Sequence, residues 1–176
     1  CQNIIGGGWG GRPFEDGVSS AVSMCQGDVK NTPIELQELY YPLLYECHKL
    51  RPDSGGAGKY RGGVGVEVKV RPLHDMLVSR NTDRIKCPPW GLLGGEEGAV
   101  NETILQRNGR AETLPGKFSH LLVHPGESVT FLTAGGGGYG DPSERDDAAV
   151  KRDVALGYVS REKTERFSPA ACKGEA

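Results

Sequence analysis

Long apolar runs are missing from this sequence. No stretch approaches the ~20 consecutive apolar residues that a bilayer-crossing helix requires, and the start has no charged segment followed by an apolar one of the signal-peptide kind. An excess of charge of one sign is missing too: 21 Lys and Arg face 23 Asp and Glu, for a formal net charge of −2 and a pI near 6.1. Neutralising nucleic-acid phosphate or an anionic membrane takes a surplus of cations, so neither is expected among the partners. The five cysteines (Cys1, Cys25, Cys47, Cys87, Cys172) are odd in number, widely spaced and never in a CxxC pair. That excludes a disulfide framework or zinc knuckle as the organising device, and a reducing cytoplasm is the expected compartment. An initiator Met is also lacking, and the chain opens directly into Ile4-Ile5 and a glycine tract, so a piece of a longer chain is expected.

Glycine is what the sequence has in excess, with 27 Gly and 11 Pro in 176 residues against 7% aromatics. Inside a helix each Gly costs about 1 kcal/mol and each Pro about 3, which excludes a helical bundle. The expected fold class is mainly β, a β-rich α+β arrangement of short antiparallel strands and hairpins joined by Gly-rich loops, with one C-terminal helix. Residues 1–142 are expected to form the β-rich part, 143–167 a helical segment and 168–176 a frayed tail.

Local patterns fill this in. Thr32-Pro33-Ile34-Glu35 predicts a short helix with Thr32 as N-cap and Pro33 at its first position; Ile34, Leu36, Leu39, Tyr40, Leu43 and Leu44 give it an apolar face that Pro42 interrupts. From Val64 the period becomes two, Val64, Val66, Val68 and Val70 alternating with polar residues or Gly65, as in a half-buried strand. Met76–Ser79 reads as another strand. Runs either side of Asn108-Gly109 predict a tight hairpin. Phe118–Val123 and Ser128–Thr133, joined by His124-Pro125-Gly126-Glu127, predict a second. Ser143 is the expected N-cap of a helix reaching Leu156, with Gly157 as its stop and Ser160 capping one further turn.

Several features could carry chemistry. Gly135–Gly138, followed by Tyr139-Gly140-Asp141-Pro142, reads either as an anion cradle of converging backbone N–H groups or as backbone that turns at positive φ or packs closely on another chain. It is not a Walker loop, since no Lys-Ser/Thr pair opens a helix after it. The Arg51–Gly63 loop gathers Arg51, Lys59 and Arg61 near Asp53 and Ser54, a composition that suits a carboxylate or phosphorylated substrate and equally suits local pairing. Of the scattered His48, His74, His120 and His124, only His74 has a carboxylate beside it in sequence, which is a poor basis for a metal site. Cys1 has the chemistry of an N-terminal nucleophile, although a cleavage boundary leaves the same terminus. Trp9 and Trp90, set among Gly and Pro, read as plugs of packed loops before ligand-stacking rings.

The ordered series Gly6–Pro13, Asn31–Glu35, Leu50–Gly63, Pro88–Gly95, Leu114–Lys117, Pro125–Glu127 and Gly135–Pro142, with Asp153-Val154 and Gly157–Ser160, resembles the C-terminal part of the hydantoinase B/oxoprolinase family. That resemblance implies a B-type subunit of an ATP-dependent cyclic-amide hydrolase. An A-type ATP-binding subunit or domain, using ATP and Mg, phosphorylates the substrate oxygen, and the B-type subunit acts on the activated intermediate. A ketone carboxylase of the acetone or acetophenone type is the related alternative, and a purely structural scaffold between subunits is another. Implied partners are therefore the A-type subunit, the N-terminal half of the same subunit, and a lactam, hydantoin or ketone. The family's metal-binding His and Asp residues belong to that N-terminal half, so no metal or cofactor is expected on this segment alone. Contact with substrate or partner is expected from Arg51, Asp53, Ser54, Lys59, Arg61, Gly136, Gly137, Gly138 and Tyr139. Oxoprolinases of eukaryotic type carry a His-containing stretch where this chain has Gly27-Asp28-Val29-Lys30, which points to the bacterial hydantoinase or carboxylase branch.

Overall fold

The computed structural model describes residues 3–22 and 30–167. The readings that fall on Cys1, Cys25, Gly27–Val29 and the 168–176 tail lie outside the described residues. The elements run α1 (Ile34–Tyr40), β1 (Leu43–Leu50), β2 (Val66–Pro72), β3 (Met76–Asn81), β4 (Glu102–Arg107), β5 (Arg110–Thr113), β6 (Lys117–Val123), β7 (Ser128–Leu132) and α2 (Asp147–Ala155). Five strands form an antiparallel sheet in the order β1-β2-β7-β4-β5, and β3 pairs with β6 as a separate two-stranded sheet. The mainly β expectation is met.

The valine alternation places β2 in the interior of the large sheet: Val66 and Val68 are buried while Glu67 and Lys69 face the other way, where they pair with Lys49 and Glu46. The β4–β5 hairpin closes through Asn108 at φ 50 and Gly109 at φ 73, the double positive φ of a type I′ turn. The second predicted hairpin is corrected. Gly126 does turn at φ 88, but β6 leaves for β3 whereas β7 enters the large sheet between β2 and β4, so the turn carries the chain from one sheet to the other. Their inner faces then meet. Leu105 (β4), Val123 (β6) and Val129 (β7) are the buried centre, with Val70, Val78, Leu121 and Phe131 around them. Leu105 is 1% exposed, so Leu105→Ala is expected to lower unfolding free energy by about 2–5 kcal/mol, read from the shift in urea midpoint at constant m-value.

Both helix starts differ from expectation. Pro33 occupies the N-cap of α1 with no side-chain cap, while the Thr32 carbonyl accepts from Gln37 Nε2 at 2.7 Å. Leu43 and Leu44 do not continue the helix face but open β1, because Pro42 cannot supply a helical N–H and the chain becomes extended at Tyr41. At the other end Asp146, not Ser143, caps α2, its carboxylate accepting from Ala149 N–H at 3.2 Å. Ser143 lies in a preceding 3-10 turn, its N–H and hydroxyl both given to Asp141 Oδ1 at 2.8 and 2.7 Å. Gly157 stops the helix at φ 73, and Ser160 precedes a 3-10 turn (Arg161–Arg166) without a side-chain cap. This C-terminal segment packs on the Gly-rich loop, with Val150, Val159 and Phe167 around Ala57. No helix among the described residues is long and apolar enough to cross a membrane.

Candidate functional site

Before the start of β2 and after the end of β7 the Gly-rich segments pack backbone to backbone. Gly8 N–H donates to Ala134 O (2.9 Å), Gly11 N–H to Gly137 O (2.8 Å), Gly56 N–H to Gly136 O (2.8 Å), Gly136 N–H to Gly63 O (2.9 Å) and Gly138 N–H to Glu96 O (2.8 Å). Glycine is required here by distance, since a Cβ on Gly136 would lie 1.8 Å from Trp9 O. The same restriction puts glycine at the axis of a triple helix. The tetraglycine tract is thus neither a positive-φ turn, which comes only at Gly140 (φ 74), nor a cradle of converging donors. Gly135, Gly136 and Gly138 donate to Ala99, Gly63 and Glu96 of the same chain.

The residues expected to contact substrate or partner are distributed around this bundle. Arg51 reaches across its base, donating from Nη1 to Val100 O (2.7 Å) and Thr133 O (3.2 Å) and from Nη2 to Glu102 Oε1 (2.6 Å). Ser54 is buried; its hydroxyl donates to Arg51 O (2.6 Å) and accepts from Gly65 N–H (2.8 Å). Asp53, at φ 61, accepts from Ser160 N–H at 2.8 Å and donates its own N–H to Tyr158 O. Lys59 is surface-exposed and pairs with Glu144 at 3.0 Å. Tyr139 pairs with Tyr60 through the backbone, and their rings stand 6.5 Å apart. Arg51, Lys59 and Arg61 therefore each go to a different acid and do not converge.

Arg61 belongs to a buried ionic network that sequence reading missed. Its Nε lies 3.2 Å from Asp153 Oδ2, and the same oxygen accepts from Arg145 Nη2 at 2.7 Å. Arg145 also holds Asp16 with both terminal nitrogens, at 2.7 and 2.8 Å, while Asp16 Oδ1 accepts from Arg61 N–H at 2.8 Å. The faces of both guanidiniums are covered, Arg61 by Tyr158 and Arg145 by Phe167, at 4.8 and 5.7 Å from the ring centroids. Burial pushes Asp16 up, but Arg145, with help from Arg61, outweighs it and holds the carboxyl below its usual 3.8. Residues spread over 138 positions of sequence meet in this network, which no local spacing announces.

An open cleft of about 270 Å³ borders the bundle, lined by Gly8, Gly10, Gly11 and Gly136–Gly138 together with Arg84, Pro89, Trp90 and Leu92; Leu92 N–H donates to Gly138 O at 2.9 Å. Trp90 is 65% exposed and does not plug the loop; the Arg84 guanidinium stacks on its face, 4.9 Å from the ring centroid. Arg84 stands at φ 55, a conformation that costs a non-glycine residue on the order of 1 kcal/mol. Asn101 holds it there: its N–H donates to Arg84 O (2.9 Å), its Nδ2 to Asp83 O (2.8 Å), and its Oδ1 accepts from Ala134 N–H (2.9 Å). One side chain thus ties the Arg84 loop to the start of the tetraglycine tract. The sequence points to the glycines and Trp90 of this cleft but not to Arg84.

Among the described residues no three His, Cys, Asp or Glu side chains form a group that could hold a metal ion. His120 and His124 are four apart, which on a helix would align two imidazoles, but here they belong to a strand and the turn after it. Their partners are Ser119 and Asp75 respectively.

The strand-rich, glycine-clasped architecture is shared with segments of longer proteins. The sequence profile of the hydantoinase B/oxoprolinase family matches residues 1–142, and the chain belongs to that family. The caprolactamase subunit beta of Pseudomonas jessenii is 34% identical over 167 residues, covering 90% of this chain and 28% of that protein. A 5-oxoprolinase of Dictyostelium discoideum is 35% identical over 138 residues, covering 77% of this chain and 11% of its own length. The crystal structure of the ATP-dependent caprolactamase from Pseudomonas jessenii superimposes with a TM-score of 0.78 at 28% identity, over 96% of this chain and 32% of that one. Nucleotide-free acetone carboxylase gives the same TM-score at 22% identity, over 92% of this chain and 26% of its own, a likeness of fold. The chain thus spans less than a third of each.

Proposed function

We propose that this segment closes the B-type subunit of an ATP-dependent cyclic-amide hydrolase, acting on a phosphorylated intermediate made by an A-type partner with ATP and Mg. The observation that carries this reading is the double likeness to the caprolactamase, in sequence over 90% of the chain and in structure over 96% of it. Once the amide oxygen bears a phosphoryl group the leaving group is good, and the remaining work is positioning and charge stabilisation. A side-chain-free wall of crossed backbones suits positioning. Arg51, Asp53, Ser54 and Arg61 serve it by fixing the bundle, Gly136, Gly137 and Gly138 by forming the wall, and Lys59 and Tyr139 by meeting the partner at its rim. The complex would work in the cytoplasm, where thiols such as Cys47 and Cys87 stay reduced.

The test is ADP release by the complete subunit with its A-type partner, supplied with hydantoin, 5-oxoproline or caprolactam. Stimulation by one of them with equimolar ring-opened acid is the expected result. Turnover that instead demands bicarbonate and a ketone would assign the chain to the carboxylases, and no stimulation by any cyclic amide would end the hydrolase reading.

A further inference from the structure

We infer that the cleft lined by Trp90 and Gly136–Gly138 binds a small flat ligand through an oxyanion, with Arg84 as its receptor. The inference rests on the hydrolase reading for the kind of ligand, and on the cleft itself for the chemistry. Arg84 is the only charged residue lining the cleft, and no carboxylate among the described residues pairs with it. This contrasts with Arg51, Arg61, Arg107 and Arg145, each of which has an acidic partner. A guanidinium stacked on an indole keeps its in-plane N–H fork available, the geometry that takes a carboxylate or phosphoryl group by two parallel hydrogen bonds. Six of the ten lining residues are glycines, so a planar ring can lie against bare backbone. Gly10 and Gly137 among them also have N–H groups that donate to no described acceptor. The volume of about 270 Å³ equals that of about nine waters at ~30 Å³ each, room for a five-membered ring with one anionic substituent. Asn101 is the positioning residue, because it fixes the Arg84 backbone to Ala134, at the start of the glycine tract that lines the cleft.

The oxyanion has two possible sources, a carboxylate on the substrate or the phosphoryl group transferred to it, and binding without ATP separates them. Three probes are titrated calorimetrically into the complete subunit: 5-oxoproline, the uncharged ring 2-pyrrolidinone, and inorganic phosphate. Loss of a bidentate charged contact is expected to weaken the anionic probe by roughly 10- to 100-fold in Arg84→Ala, to leave 2-pyrrolidinone within about twofold, and to be partly restored in Arg84→Lys. Arg84→Gly removes the same group at a φ that glycine adopts freely, so it serves if the Ala variant folds poorly. Weakening confined to 5-oxoproline assigns the site to the substrate carboxylate; weakening confined to phosphate assigns it to the phosphoryl group. Equal affinities in wild type and both truncations, or no binding of either anion by wild type, overturn the inference. Arg84-dependent binding in a complex that fails to couple ATP to ring opening would sink the hydrolase reading and leave this site standing.

Discussion

Asp153→Ala is expected to cost the chain about 3–5 kcal/mol of stability, enough to remove a large part of the 5–15 kcal/mol typical of a domain. Asp153 is 2% exposed, and its Oδ2 is shared by two guanidiniums, Arg61 and Arg145, whose side chains are 4% and 1% exposed. Without it, two buried cations depend on Asp16, which is 22% exposed and approaches Arg61 only through the backbone N–H. Arg145→Ala should be milder, because Asp153 keeps Arg61 and Asp16 can draw on solvent. The order of the two urea midpoints is the measurement, and an Asp153 variant as stable as wild type would show that the network is not desolvated as described.

The same network fixes a pH dependence. The folded-state pKa of Asp16 lies below its unfolded value, so the folded chain binds fewer protons than the unfolded one as pH falls. Its contribution is complete above 3.8, the unfolded value, and is lost as pH drops through the lowered folded value. Glu127, held down by Arg107 and by the His124 N–H, acts in the same direction. Stability should be flat through neutral pH and fall only in the acid range, and an Asp16→Asn variant should show a shallower acid limb in urea titrations at successive pH values.

How far the sequence reveals this molecule depends on whether the information is local. The β2 alternation and the Asn108-Gly109 turn are local: each residue's own face or φ decides them, and the structure agrees. Strand β1 was hidden because Leu43 and Leu44 extend a helical spacing, and only the conformational demand of Pro42 separates them from α1. Strands β6 and β7 were seen but mispaired, since a four-residue turn looks the same whether it folds a strand back or carries it to another sheet. The Gly-rich segments signal the bundle, yet the sequence leaves its cations between anion binding and local pairing, because their partners are distant: Glu102 is 51 residues from Arg51 and Asp153 is 92 from Arg61. Arg84 escaped notice for the opposite reason. That no acid among the described residues pairs with it becomes visible only once the folded segments are in place.

Gly136→Ala is expected to be more damaging than any polar substitution proposed above. An added Cβ would meet Trp9 O at 1.8 Å, Trp9 C at 2.2 Å and Gly10 N at 2.7 Å, all backbone atoms held in the bundle. No rotamer relieves this, because the clash lies before any side-chain torsion. The Gly6–Gly11 segment must move away, and it cannot move alone, since Gly8 and Gly11 donate to Ala134 and Gly137 and Trp9 O accepts from Gly63. Loss of several such hydrogen bonds at about 1 kcal/mol each, added to the steric cost, puts the effect above the 4–5 kcal/mol that marks an exceptional substitution. The chain should be recovered as aggregate or with no cooperative melting transition. Two neighbours provide the controls that separate packing from backbone conformation. At Gly10 a Cβ would find only Gly137 O, at an ordinary 3.7 Å, so Gly10→Ala should fold and melt near wild type. At Gly109 nothing lies within 4 Å but φ is 73, so Gly109→Ala should cost about 1 kcal/mol from the left-handed conformation alone. The predicted ranking by thermal melting is Gly136 far below Gly109, and Gly109 slightly below Gly10. A Gly136→Ala chain that melts cooperatively near wild type would mean that the segments are spaced more widely than this crossing requires, and the bare glycine lining of the Arg84 cleft would go with it.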